Sequence, residues 1–144
     1  MSVIAWNGYS LCTDRRATSH AVHTVTKSKK ISDTTVVAWV GSQDQGLALC
    51  AWYEAGAHIK DYPKFQSSDN WTTLIVATKD QCISYNQEPY PIIVEEEYFA
   101  FGSGAAYALA AMSLGYSAYE GVEAAAKFDN NCGNGIDIYV LELL

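Results

Sequence analysis

Met1-Ser2-Val3-Ile4-Ala5-Trp6-Asn7-Gly8-Tyr9-Ser10-Leu11-Cys12-Thr13 opens the chain, and its reading decides the fold. Residues 3–6 and 9–13 are apolar and β-prone. They flank Asn7-Gly8, the dipeptide that best tolerates the two positive φ angles of a type I′ turn, so a β-hairpin is expected at the start. Ser2 then begins a strand and is held as no frayed tail is. The small residue after Met1 favours trimming of that Met, which leaves a hydroxyl and a free α-amine on one residue. Such an amine has an unperturbed pKa of about 7.7–8.0 and accepts a proton near neutrality. A nucleophile with its base attached is the expectation that follows.

The remaining pattern continues in hairpins. Residues 22–26 and 29–31 read as short strands, and residues 34–40 as a buried strand rich in β-branched side chains. Ser42-Gln43-Asp44-Gln45 fits a capping box. The helix it opens carries Gly46, Leu49, Cys50, Tyr53 and Ala57 as one apolar stripe. Residues 59–71 are polar and contain Pro63, which allows a helical turn or two at most. Residues 72–78 and 82–85 predict another hairpin. Residues 92–95 and 98–101 add strand, with Pro89 and Pro91 placing that region at an edge. Gly102-Ser103-Gly104 leads into an alanine-rich helix through Leu114 that Gly115 ends, its small side chains suited to close packing. Ser117-Ala118-Tyr119-Glu120 is a second capping box, opening a helix to Phe128 with Val122, Ala125 and Ala126 on one face. A loop over 129–135 precedes a last strand, 136–141. Antiparallel hairpins with helices in two separated groups predict an α+β protein, a four-layer αββα sandwich built as a single domain over residues 1–144.

Composition narrows the function classes. The chain of 144 residues is 49% hydrophobic and 17% charged, which excludes disorder, and no apolar run reaches the roughly 18 residues that span a membrane. Nine basic residues against 16 acidic ones give a charge of −7, which opposes nucleic-acid binding. The start has no signal-peptide pattern, so an intracellular protein is expected. Cys12, Cys50, Cys82 and Cys132 form no Cys-x-x-Cys pair, and three of them read as small buried hydrophobes. His20 and His23 stand three apart without further ligands and read as surface residues; no metal or cofactor is expected.

Five stretches, in order, carry a resemblance over nearly the whole chain. They are Ser2, Thr13-Asp14-Arg15-Arg16-Ala17-Thr18, Lys27-Ser28-Lys29-Lys30-Ile31, Phe101-Gly102-Ser103-Gly104, and Asp129-Asn130-Asn131-Cys132-Gly133-Asn134-Gly135-Ile136-Asp137. Together they resemble the proteasome β subunits and HslV-type peptidases, which are N-terminal nucleophile (Ntn) hydrolases with an αββα fold. The short length is similar to versions carried by some bacteriophages and bacteria.

The resemblance implies a role for each matched position. Ser2, in place of the family's Thr, would attack a peptide carbonyl, with its α-amine or a water taking the proton. Lys27 would lower the pKa of that amine by like-charge repulsion, and Asp14 would hold Lys27. Ser103 and Asp129 would orient the amine, with Cys132 standing where the family has a Ser. Thr18 would offer backbone groups to an extended substrate. The oxyanion-hole segment reads Ala38-Trp39-Val40-Gly41, which points to a backbone amide of Ala38 or Trp39. A retained Met1 would leave the site latent. The implied partners are a homo-oligomeric ring, stacked in pairs, a polypeptide substrate and an unfoldase ATPase. The implied location is the cytoplasm of a bacterial or phage-infected cell. A different class, an inactive assembly or scaffold protein of the same fold, is the alternative reading.

Overall fold

The computed structural model describes residues 2–65 and 71–141. Met1, and with it the expectation about its retention, lies outside the described residues. So does the 66–70 part of the expected connection.

Strands β1 (Ile4–Trp6), β2 (Ser10–Asp14), β10 (Phe99–Phe101) and β11 (Ile136–Val140) form one antiparallel sheet in the order β10-β1-β2-β11. Strands β5 (Ser28–Lys30), β6 (Val36–Val40), β7 (Thr73–Ala77), β8 (Cys82–Tyr85) and β9 (Ile92–Ile93) form a second, in sequence order. A separate ribbon pairs β3 (Arg16–Ala17) with β4 (His23–Thr24). The helices are α1 (Gln43–Glu54), α2 (Ala105–Ser113) and α3 (Ala118–Phe128), with one 3-10 turn at Ile59–Asp61.

Side-chain alternation along two central strands creates the layers. In β1 and the residue before it, Val3 and Ala5 face α2 and α3 together with Ala108, Met112, Val122 and Ala125. Ile4 and Trp6 face the other sheet, meeting Val36, Ala38, Val40 and Ile75. In β6 the partners of those residues, Val37 and Trp39, face α1 with Leu49, Cys50 and Trp52. Both faces of both sheets are thus buried against something, and the three cores separate four layers, αββα. Continuous apolar runs rather than alternating ones are what such doubly covered strands require, and β6 is buried at all five positions. Among the described residues no helix is long and apolar enough to cross a membrane.

Two expectations about local geometry are corrected. The Asn7-Gly8 hairpin forms, with Trp6 opposite Leu11, but not through a type I′ turn. Only Gly8 has positive φ, +84°. Asn7 instead uses its side chain, whose Oδ1 accepts from the amides of Tyr9 and Ser10 at 3.0 and 2.9 Å. The helix α1 starts where Ser42 predicts, yet no capping box forms there. The Ser42 hydroxyl donates to Asp44, and Gln45 Oε1 accepts from Thr72 Oγ1 at 2.8 Å, so a local partner takes one capping group and a tertiary partner the other. The Ser117–Glu120 box does form: Glu120 N donates to Ser117 Oγ and Ser117 N to Glu120 Oε1.

Smaller departures concern extent. The strand expected at 22–26 shortens to His23–Thr24 on the ribbon, and that at 92–95 to Ile92–Ile93 on the sheet edge beside Pro91. The α1 stripe buries Gly46, Leu49 and Cys50, but Trp52 rather than Tyr53 is the buried aromatic. Gly115 ends α2 as expected. Its amide donates to Met112 O and that of Tyr116 to Ala111 O, the paired bonds of a Schellman motif, with Gly115 at φ +93°. Alanine and glycine let α2 and α3 approach closely, since a Cβ on Gly121 would lie 3.3 Å from Ala108 Cβ.

Candidate active site

Ser2 sits one residue before Val3, at the start of the central strand of the first sheet, and two neighbours fix it there. On one side, Asp14 N donates to Val3 O at 3.2 Å, and Val3 N donates to Asp14 Oδ1 at 3.1 Å. On the other, Gly104 N donates to Ser2 O at 3.1 Å. A Cβ on Gly102 would fall 2.2 Å from that same carbonyl oxygen, and Gly102 has φ +97°. Only glycine meets both conditions.

Lys27 immediately precedes β5 and is 2% exposed. Its Nζ donates to Ser2 Oγ at 2.7 Å, to Asp14 Oδ1 at 2.8 Å and to the Arg16 carbonyl at 2.8 Å. All three ammonium protons therefore have acceptors. Burial lowers the pKa of Lys27, and the charge and hydrogen bond of Asp14 oppose that shift. Asp14 is fully buried, and its second oxygen accepts from Arg16 N at 3.2 Å and Gly133 N at 3.1 Å. A buried carboxylate with four such bonds is a satisfied anion, and it keeps a cation beside the Ser2 hydroxyl.

A second cluster lies across the Gly102–Gly104 turn. Ser103 Oγ donates to Asp129 Oδ2 at 2.8 Å, and Cys132 Sγ approaches the same oxygen at 3.5 Å. Asn131 N donates to Asp129 Oδ1 at 2.9 Å, and that bond leads in holding the Asp129 carboxyl below its usual range. Burial, then the charges of Asp14 and Asp129, push the Cys132 thiol up to about 12. The clusters are joined by Gly133 N on Asp14 and by Gly104, where a Cβ would lie 2.9 Å from Cys132 Sγ.

The sequence motifs thus fall into two groups of touching residues: Ser2, Asp14 and Lys27 in one, Ser103, Asp129 and Cys132 in the other. Thr18 is exposed and lines a cleft of about 570 Å³ that also reaches Ser2, Lys27 and Gly41. Ala38 and Trp39 are not brought to this cleft, which corrects their expected place. Trp39 N donates to Lys27 O at 3.0 Å, within the sheet. Its indole packs on Gly46, where any Cβ would lie 2.0 Å away, and its Nε1 donates to Gln43 Oε1 at 3.0 Å. Ala38, the next residue back, points its side chain into the core between the sheets. Gly41, with φ +121°, is the member of that segment on the cleft wall.

Sequence reading missed three contributors. Arg16 stands inside a quoted motif, but its work is structural. Its Nε donates to Asn134 Oδ1 and its Nη1 to Asn130 O, both at 2.8 Å, tying down the loop that carries Asp129 and Cys132. The Gly133 amide leaves no signature in sequence. Gly41 was legible as the glycine that closes β6.

The four-layer αββα arrangement is the proteasome-like fold. Solved structures with this architecture include eukaryotic HslV from Trypanosoma brucei, at TM-score 0.70 and 18% identity, covering 96% of this chain and 97% of that one. BPH from Thiobacillus denitrificans is similar at TM-score 0.71 and 20% identity, covering 99% of this chain and 98% of that one. Its complex with epoxomicin superposes at TM-score 0.70 with the same identity and coverage. No protein-family model matches the sequence, and no curated protein does.

Proposed function

We propose that the chain is a proteasome-like endopeptidase whose nucleophile is Ser2, freed by removal of Met1. The observation that carries this reading is the 2.7 Å contact between Lys27 Nζ and Ser2 Oγ, backed by buried Asp14. Ser2 Oγ attacks the scissile carbonyl carbon while its proton passes to the Ser2 α-amine. The Lys27 ammonium stabilises the developing alkoxide and lowers the basicity of the amine. The carbonyl oxygen becomes an oxyanion, for which Gly41 N–H on the cleft wall is the donor we assign. The C–N bond then breaks, the proton moves from the amine to the departing peptide nitrogen, and an ester remains on Ser2. Water hydrolyses that ester by the same proton route. Ser103, Asp129 and Cys132 hold the amine's side of the site. The backbone around Thr18 receives the substrate as an added strand.

Assembly into a homo-oligomeric ring is part of this proposal. Exposed Tyr107, Leu114, Tyr116 and Phe128 surround a groove of about 550 Å³ on α2 and α3, an apolar surface of the kind subunits cover. Ring stacking, an unfoldase ATPase partner and a cytoplasmic setting go with the same reading.

The test uses chain whose Met1 removal is verified by intact mass, incubated with a peptide epoxyketone and mapped by peptide mass spectrometry. An adduct joining both the hydroxyl and the amine of Ser2 is expected. Labelling elsewhere, or none, would leave the inactive ring-forming scaffold as the better account.

A further inference from the structure

The cleft that reaches Ser2 has walls whose charges are unequal. Val25 and Leu47 supply apolar surface, enough to receive the aliphatic part of a substrate side chain. Four groups on the walls carry or can carry charge: Arg16, His23, Lys27 and Asp44.

The basic groups already have hydrogen-bond partners, and the charge of Lys27 is paired by Asp14. Lys27 spends its three protons on Ser2, Asp14 and the Arg16 carbonyl. The Arg16 guanidinium turns to Asn134 and Asn130. His23 is exposed, with Nδ1 2.9 Å from Ala21 O. Asp44 differs. It is exposed, and its bonds from the Ser42 hydroxyl and the Gln45 amide both fall on Oδ1, which leaves Oδ2 for a ligand. Those same bonds keep its carboxyl ionised below its usual range. The first turn of α1 opposes it with about half a positive charge, against a full negative one on Asp44. Gln43 cannot rotate in to compensate: its Nε2 donates to Thr26 O and its Oε1 accepts from Trp39.

Resting on the peptidase reading above, we infer that this cleft selects substrates with a cationic side chain, Lys or Arg, next to the scissile bond, and that Asp44 is the residue that selects it. The stem lies along Val25 and Leu47, and the ammonium or guanidinium reaches Asp44 Oδ2. The net charge of −7 adds a long-range attraction for such peptides.

The experiment compares four fluorogenic peptides that differ only at the residue before the scissile amide: Arg, citrulline, Leu and Glu. Citrulline keeps the shape of Arg and removes its charge. The full chain, with Met1 removed, should show kcat/KM about five- to tenfold higher for Arg than for citrulline, the range of an exposed to half-desolvated ion pair. The ratio should shrink at about 0.5 M salt through screening. Asp44→Asn should bring it close to one, and Asp44→Glu should keep most of it. Because the ratio in the unmutated chain is read first, a variant that fails to fold does not decide the matter. Equal turnover of Arg and citrulline, or an Arg preference that Asp44→Asn leaves intact, would overturn this inference alone. No turnover of any of the four would overturn the peptidase reading and this inference with it.

Discussion

The two clusters at the Ser2 end are built to opposite rules. In the Asp14–Lys27 cluster every polar group is buried and matched, and the pair is held at 2.8 Å with side chains 3% and 0% exposed. In the Ser103–Asp129 cluster the hydrogen bond has the same length, but Ser103 is exposed and Asp129 half-buried. A buried pair cannot lose one partner without stranding the other, whereas water replaces a lost partner at an exposed site. The first cluster therefore has no tolerance and the second has some.

Lys27→Ala is the severest test of that contrast. It should lower kcat/KM on a peptide substrate by about 10³-fold, the loss expected when alkoxide stabilisation and amine tuning go together. It also strands buried Asp14, so thermal unfolding should shift down in parallel. Turnover within tenfold of the unmodified chain would place Lys27 outside the chemistry.

Asp14→Asn comes next and reads out mainly in stability, at about 3 kcal/mol lost in denaturant titrations. The sign of its pH dependence follows from Lys27. Burial already lowers that pKa, and removing Asp14 removes the opposing influence. The unfolded chain keeps the Lys27 proton to about pH 10.4 while the folded variant sheds it lower. Between those values the unfolded state binds more protons, so the variant should gain stability as pH rises toward about 10. A flat or falling profile would contradict the assignment.

Asp129→Asn should cost about tenfold in kcat/KM, one charge-assisted hydrogen bond's worth, with little change in unfolding temperature. Because the folded carboxyl titrates below its usual range, its stabilising effect is complete above the unfolded pKa and is lost as pH falls through the folded one. The variant should therefore lose less stability than the unmodified chain on going from pH 5 to pH 3.

Cys132→Ser should change least. A hydroxyl donates to Asp129 better than a thiol does, so activity should hold or rise about twofold. The related observation is reactivity. The Cys82 and Cys132 thiols are pushed up to about 12 and Cys12 and Cys50 to about 11, burial leading in each. Native protein should resist a thiol reagent at pH 7.5 and react fully once unfolded.

Sequence carried the layers and the motif residues because both are local signals. The continuous apolar runs at residues 3–6 and 36–40 state that both faces of those strands are covered, and the Asp14 and Lys27 motifs sit at their strand ends. What it could not carry is competition for a group by distant partners. Ser42 and Ser117 look alike as helix caps, yet at the first Thr72 claims Gln45 and Asp44 the Ser42 hydroxyl, while at the second Glu120 turns back to Ser117 N. Trp39 was misplaced for the same reason: Lys27 O takes its amide and the space above Gly46 takes its ring.

The Gly133 amide on Asp14 spans 119 positions of the chain, and the Gly104 amide reaches back to Ser2. Contacts this distant close late, after the local hairpins have formed. A chain still being synthesised can have its first hairpin and its Lys27 while Asp14 lacks the amide of Gly133. The Ser2–Lys27–Asp14 contact therefore lacks part of its support until the loop before the last strand has emerged and docked. On the peptidase reading proposed above, timing of this kind would separate the birth of the catalyst from the exposure of its own unfolded sequence.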